Sequence, residues 1–354
     1  MEATTNDRIF CIGNPLLDIS IECADDALLK KYDLTNGAAI LAEEKHMPIF
    51  DEVFNMEGMQ KVTGGAALNT ARSTAYALKM MGVAESKTDY YGSIGNDERG
   101  KNLETLCTEA GVTTNFHVSE DKPTGCCAVV IYNKERTLTT DLAAACAYQE
   151  SHFDANMDTV KKAKFIYTTG YFITSSMPTL LKAAAYANEN DVPFGFNFSA
   201  VFLQFIEKDN MLKAIEAADF IFANEDEGAQ FVKTAEMPEG SDLKDVAKKL
   251  ATWKKTNSKR PRYAIITYGP KPVIVAKHTP GEGDESCEVK EYPVPQLTDE
   301  QVIDTNGCGD SFAGGFLAAY HKDKTVEECI AAGIKLSSAV VQHVGCSFPD
   351  KVEF

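Results

Sequence analysis

The chain has no run approaching the ~20 consecutive apolar residues that a membrane span requires. Its opening stretch, MEATTNDRIF, is polar and acidic, with neither an apolar core nor a cleavage site, which argues against a signal peptide. Ten cysteines are scattered without CxxC spacing, so a zinc site is not expected. Cys126 and Cys127 are adjacent and badly placed to pair with each other. We expect free thiols in a reducing, cytoplasmic setting, with the nucleus also compatible. The six histidines are dispersed, with no pair at ligand spacing, and G-x-S-x-G is absent. Basic charge is scarce: 35 Lys and Arg against 52 Asp and Glu leave a net charge of −17. Nucleic acid and anionic membranes are repelled on average, so neither is expected as a partner. The one basic run, NSKRPR (Asn257 to Arg262), reads as a solvated loop after a Lys-rich helix.

What is present fits a soluble globular protein, with 44% apolar and 25% charged residues. A length of 354 residues suits one large domain plus an accessory piece. RIFCIGNPLLDISIEC reads as strand, break, strand. GGAALNTARSTAYALKMMG reads as a Gly-rich turn feeding a helix that stops at Gly82. TDYYGSIG is strand-like, and DERGKNLETLCTEAG is a helix closed by Gly111. GCCAVVIY and RTLTTDLA flank Asn133-Lys134-Glu135 as a hairpin candidate. From about residue 160, strands (KFIYTTG, PFGFNFS, DFIFANE, YAIITYG, PVIVAKH) alternate with helices, which implies a mostly parallel sheet covered on both faces. The segments 17–63 and 116–145 break this rhythm and are expected to fold together as a small lid domain. The segments 1–16, 64–115 and 146–354 would form the large α/β domain.

DTNGCGDSFAGGF (Asp304 to Phe316) carries the sharpest chemical suggestion. Gly307 and Gly309 permit close backbone approach, and a helix-like run follows. The Gly307–Cys308–Gly309 amides would then sit at a helix N-terminus, where the dipole and unpaired donors favour an anion. Asp310 repels a phosphate that is merely bound, but suits one that an alcohol attacks, because it can take the alcohol's proton. The competing reading is an ordinary helix start with Asp310 complementing the dipole. TGGAALN (Thr63 to Asn69) is a ligand-contacting turn or only a strand-to-helix turn. FANEDEG places Asn224 and Glu227 three apart, either to organise hydrated magnesium or as a capping box. GNDERGKN (Gly95 to Asn102) approaches the phosphate-loop pattern. It ends in Asn and carries Asp97 and Glu98, so it is not expected to cradle a nucleotide.

Taken together, GSIGNDERG and DTNGCGDSFAGGF resemble the two signatures of the ribokinase-like family of sugar and nucleoside kinases. GNPLLDIS, LAEEKH, PTGCCAVV, DLAAACAY, NEDEGAQF, NSKRPR and VGCSFPDK are similar, in order, to segments of the family's adenosine-phosphorylating members. The resemblance spans Gly13 to Lys351. It implies a ribokinase-like α/β fold with a small α/β lid. It further implies a monomer that transfers the γ-phosphoryl group of ATP, with Mg2+, to the 5′-hydroxyl of adenosine. The same resemblance makes Asp310 the base and Gly307, Cys308 and Gly309 the anion hole. It gives Asp18 the ribose hydroxyls, with Asn14, Gly64, Gly65 and Asn69 beside it. Phe172 and Phe202 would sandwich the purine, with Leu16, Cys127, Leu138 and Leu142 near it. Arg136, Thr267, Gly269 and Asn306 would meet the ATP, and Asn224 and Glu227 would hold the magnesium through water. Three positions depart from the family pattern: Cys308 and Ser311 where Ala is common, and Ala66 where Ser is common. The resemblance leaves two rivals: a kinase for another nucleoside or a sugar, and a nucleoside-binding regulatory protein without catalysis.

Overall fold

A computed structural model of the chain describes residues 6–133 and 135–354. Fourteen strands form among them: β1 (Arg8–Ile12), β2 (Leu16–Glu22), β3 (Ala39–Leu41), β4 (Gln60–Gly64), β5 (Thr88–Gly95), β6 (Val112–Ser119), β7 (Cys126–Tyr132), β8 (Glu135–Asp141), β9 (Ala163–Thr169), β10 (Phe194–Asn197), β11 (Phe220–Asn224), β12 (Arg262–Tyr268), β13 (Lys271–His278) and β14 (Glu288–Tyr292). They divide between two sheets. The large one runs β14-β13-β12-β11-β10-β9-β1-β5-β6 and the small one β3-β8-β7-β2-β4.

The large sheet is parallel from β6 through β12, and the last two strands return antiparallel. Its strands alternate in the way a sheet buried on both faces demands. Ile9 and Cys11 of β1 enter one core, with Phe165, Phe222 and the helices Ala66–Met80 and Cys308–His321. Phe10 and Ile12 enter the opposite core, with Phe194, Phe196 and the helices Ile173–Glu189 and Leu243–Thr252. After β1 the chain builds outward through β5 and β6, then returns to add β9 on β1's other side. That reversal opens a crevice beyond the strands' carboxyl ends, the place where open α/β sheets bind ligands.

The small sheet has one dry face, with Leu17, Ile19 and Ile21 of β2 buried and the intervening Asp18 and Ser20 on the other side. Asn133 takes φ 51° at the β7–β8 turn, and Lys134 of the expected hairpin lies outside the described residues, as do the first five residues of the N-terminal stretch.

Two expectations change. β6 pairs with β5 along its whole length, from Thr88↔Val112 to Gly95↔Ser119. Residues 116–119 therefore belong to the large sheet, because a parallel edge strand could be completed there. The second change concerns NSKRPR, which is no solvated loop. Arg262 is fully buried, and its guanidinium donates to the carbonyls of Ile215, Ala218, Leu250 and Lys254, among others. Arg260 and Lys255 both grip the buried Asp219, at 2.8 and 2.7 Å. Buried cations persist only when they are paired or saturated with acceptors, and this cluster satisfies that condition while pinning the Leu243–Thr252 helix to the sheet.

Candidate active site

Gly307 caps the Cys308–His321 helix in the left-handed conformation, φ 75°. A Cβ there would lie 2.6 Å from Cβ of Cys346, so both backbone and space require glycine. No side chain caps this helix start; the Cys308 N–H turns back to the Thr305 carbonyl at 3.3 Å, while Gly307 and Gly309 line the cleft. The contrast with GNDERGKN is direct. There Asp97 caps the Glu98–Glu109 helix, accepting from the Gly100 N–H at 2.8 Å and from the Thr124 N–H and hydroxyl at 2.8 and 2.7 Å. That loop already holds its own anion. The Gly307 helix start has no such side-chain anion of its own.

Asp310, in the first turn of this helix, accepts a 3.1 Å hydrogen bond from Nδ2 of Asn69. Burial raises its carboxyl to about 7, the Asn69 bond pulling the other way. Asn69, expected near the ribose, is thus first a partner of Asp310. Its Oδ1 is buried without a hydrogen-bond partner, so it remains available to a ligand.

A cleft of about 120 Å3 joins Asp310, Gly307 and Gly309 to Ala66, Asn197, Ser199, Phe222, Ala223, Asn224, Glu227, Thr267 and Phe312. Asn224 and Glu227 form a reciprocal capping box: Oδ1 accepts from the Glu227 N–H at 2.8 Å, and Oε2 accepts from the Asn224 N–H at 2.9 Å. The capping reading of this pair therefore holds, and it occupies one carboxylate oxygen and leaves Oε1 outside the box. Burial raises the Glu227 carboxyl to about 7, the Asn224 N–H opposes this, and repulsion from Asp310 adds to it. Among the described residues no group of three or more His, Cys, Asp or Glu is arranged to cage a metal. One buried carboxylate beside an amide fits magnesium that keeps its waters and leans on phosphates.

A second group of the expected residues gathers at the small sheet, and none of them lines that cleft. The Asp18 carboxylate packs on Gly64, where a Cβ would lie 2.1 Å from Oδ1. Gly65 takes φ 93° and passes so close to the Asn14 carbonyl that a Cβ would sit 2.1 Å from it. Burial raises Asp18 to about 7, against the pull of Arg136 and then Arg72. Asn14 donates to the Ala145 carbonyl at 3.3 Å and to the Ser175 hydroxyl, with its own Oδ1 buried and free. The Leu16 side chain and the Leu142 carbonyl both flank Gly125, each 2.8 Å from where a Cβ would lie. Cys127 pairs with Asp18 across β2–β7 and receives the Thr140 hydroxyl at 3.2 Å, while Leu138 lies two residues away on β8. Arg136 of β8 reaches over to Asp304 at 3.4 Å.

Three expected residues sit differently. Phe172 is fully buried and packs edge-on against Tyr148, 5.6 Å between centroids, so it presents no face to a ligand. Its neighbour Tyr171 is the ring beside the exposed Phe202, at 6.3 Å, and its phenol feels the charges of Asp310 and Glu227. Asn306 spends its side-chain N–H and main-chain N–H on Asp304, at 2.8 and 2.9 Å, and supports the loop instead of facing the cleft. Gly269 lies in the exposed β12–β13 turn with φ 51°, outside the cleft that Thr267 lines. Sequence reasoning missed Asn197 and Ser199. Asn197 Oδ1 takes the Ser199 N–H at 3.0 Å, Nδ2 donates to the Tyr167 hydroxyl at 3.1 Å, and Ser199 is held at φ 71°. The signal available was an Asn ending a parallel strand, where such sheets place ligand contacts.

Comparison with known proteins gives a consistent result. Residues 26–352 match the pfkB family carbohydrate kinase profile. The chain is 38% identical to adenosine kinase 2 of Arabidopsis thaliana over 345 residues, 97% of this chain and 96% of that one. It is 37% identical to the adenosine kinase of Dictyostelium discoideum over 355 residues, 99% and 100% of the two chains. The crystal structure of Anopheles gambiae adenosine kinase in complex with P1,P4-di(adenosine-5) tetraphosphate superposes with a TM-score of 0.83 at 35% identity, covering 98% of this chain and 99% of that one. Schistosoma mansoni adenosine kinase in complex with 2-fluoroadenosine gives 0.83 at 32%, covering 97% and 98%. On fold, crevice and signature loops alike, this chain belongs to the pfkB family of carbohydrate kinases.

Proposed function

We propose that this protein is an ATP:adenosine 5′-phosphotransferase, making AMP and ADP, and that the residues gathered in the crevice do the chemistry. The observation that carries the reading is the pairing of a helix N-terminus without a side-chain cap with a half-buried carboxylate, Asp310, in its first turn. Amides there receive the migrating phosphoryl group, and Asp310 receives the proton of the attacking hydroxyl. Prior deprotonation of the alcohol is not needed, because phosphoryl transfer is loose and the proton can leave late. A carboxyl raised to about 7 is a better acceptor than an ordinary aspartate, and Asn69 fixes which oxygen faces the alcohol. Asp18 accepts from the ribose hydroxyls, and this orients the 5′-oxygen toward Asp310. Tyr171 and Phe202 hold the base. Arg136 and Thr267 meet the phosphates. Asn224 and Glu227 hold magnesium through water, and the ion, when bound, neutralises charge on the ATP phosphates.

The small sheet, residues 17–63 and roughly 120–145, is assigned the role of a lid that closes over the nucleoside and excludes water. Among the described residues no helix is long and apolar enough to cross a membrane, and we place the enzyme in the cytoplasm as a monomer. An aromatic pair at the mouth favours a purine nucleoside over a free sugar, which needs no stacking surface. An ADP-release assay over adenosine, inosine, guanosine, ribose and fructose tests the assignment. Adenosine is expected to give the highest kcat/KM by at least tenfold. Preference for a sugar, or no ADP release with any of them, defeats it.

A further inference from the structure

Gln204 is 2% exposed, yet it carries a fully polar amide and lies outside the cleft. Both ends of that amide are engaged. Nε2 donates to the backbone carbonyl of Glu227 at 2.8 Å, and Oε1 accepts from the Thr234 hydroxyl at 3.0 Å. A buried amide satisfied at both ends is a stiff joint, because displacing either partner strands a polar group in a dry environment. The joint connects two pieces of the crevice. Gln204 sits in the short Leu203–Ile206 helix, which has Leu203 and Gln204 turned inward and Phe202 at its cap, 49% exposed. Glu227 and Thr234 belong to the Glu225–Thr234 helix, which begins at the Asn224–Glu227 capping box.

We propose that Gln204 is a positioning residue that couples nucleoside binding at Phe202 to magnesium-nucleotide binding at Glu227. The inference rests on the functional reading above, which places the base at Phe202 and the metal at Glu227. Ordering the Phe202 turn against a base holds the Glu227 carbonyl, and so the helix start, in its competent position. Linkage requires the converse to the same extent. A merely structural Gln204 would affect stability and leave the two affinities independent.

Calorimetric titration of adenosine, with and without Mg2+ plus a non-hydrolysable ATP analogue, tests the proposal. In the wild type the analogue and Mg2+ are expected to tighten adenosine binding at least fivefold. In Gln204→Leu that enhancement should fall below about twofold, with the affinity for adenosine alone changing less than threefold. Thr234→Val, which frees Oε1 of the amide, should give an intermediate value and carries the test if Gln204→Leu does not fold. Leu250→Ala, a core change away from the joint, should lower Tm and keep the enhancement. A wild type without enhancement, or folded Gln204→Leu and Thr234→Val proteins that retain it in full, overturns the proposal. Failure of the underlying metal assignment shows separately: Glu227→Gln would then leave the Mg2+ dependence of analogue binding as in the wild type.

Discussion

At the scale of single residues, three carboxyls of the candidate site, Asp18, Glu227 and Asp310, are each raised to about 7 by burial. An acid whose folded-state value is raised binds more protons folded than unfolded. Its favourable contribution is complete below the unfolded value near 4 and is lost as pH climbs to about 7. The free protein should therefore lose stability from this source over the same interval in which Asp310, the proposed base, becomes ionised. Histidines 117, 152 and 321, lowered chiefly by burial, act in the opposite sense below about 6.5, so the diagnostic is a difference between proteins. Asp310→Asn mimics the neutral form at every pH. Its Tm advantage over the wild type should grow from about pH 4 to about pH 7 and level off above, while kcat falls roughly 10²-fold or more. Thermal melts at intervals across that range, with a single-turnover assay at pH 8, check both halves. A folded variant with near wild-type turnover would remove Asp310 as the base.

At the scale of elements, the Cys308–His321 helix carries the proposed anion hole at its start, and its placement depends on two glycines. A Cβ at Gly314 would lie 2.2 Å from Cβ of Ser73, and one at Gly315 would lie 2.6 Å from the Ala332 carbonyl. The helix is thereby pressed between Ala66–Met80, which carries Asn69, and Val326–Val340. Gly314→Ala must spread the first contact, an overpacking that costs about 1–3 kcal/mol. We expect a Tm lowered by several °C and, because Asn69 and Asp310 sit on the two helices being parted, a fall in kcat that exceeds any rise in KM for ATP. Unchanged melting would show that the contact is not as tight as drawn. The glycines, the uncapped start and the strand–helix alternation were legible in the sequence because each is a local demand of backbone or periodicity. Asn224–Glu227 was legible only as two alternatives, and the structure shows the capping box, which leaves one carboxylate oxygen for the proposed metal role. The choice between Tyr171 and Phe172 was not legible. They are adjacent in one short 3₁₀ turn, Gly170–Phe172, whose rotation is set by what packs beneath it. Arg262 was misread for a similar reason, since the carbonyls that saturate it come from separate elements that no local pattern announces.

At the scale of the whole molecule, an acidic protein of net charge −17 has to bind a polyanion. Helix amides supply part of the local positive potential, and the rest comes from cations held at the junction of the sheets. Arg136 crosses it, projecting from the small sheet to Asp304 on the loop before the Cys308–His321 helix. Its Nε is buried without a partner, and the ion pair at 3.4 Å is long, so the guanidinium is not saturated by protein groups. Asp304 is meanwhile occupied by the Gly345 and Asn306 N–H groups, at 2.8 and 2.9 Å, and can release the arginine without being stranded. A phosphate arriving between the sheets offers Arg136 a stronger, bidentate partner, and engaging it draws the small sheet toward the large one. Arg136→Ala should then raise KM for ATP about tenfold or more, with adenosine affinity in the absence of nucleotide changed less than threefold. Arg136→Lys should recover only part of the loss, because an ammonium cannot reproduce the fork. Steady-state kinetics with varied ATP, paired with adenosine calorimetry, make the comparison. An alanine variant whose adenosine affinity collapses while KM for ATP holds would relocate Arg136 from the phosphates to the nucleoside wall beside Asp18.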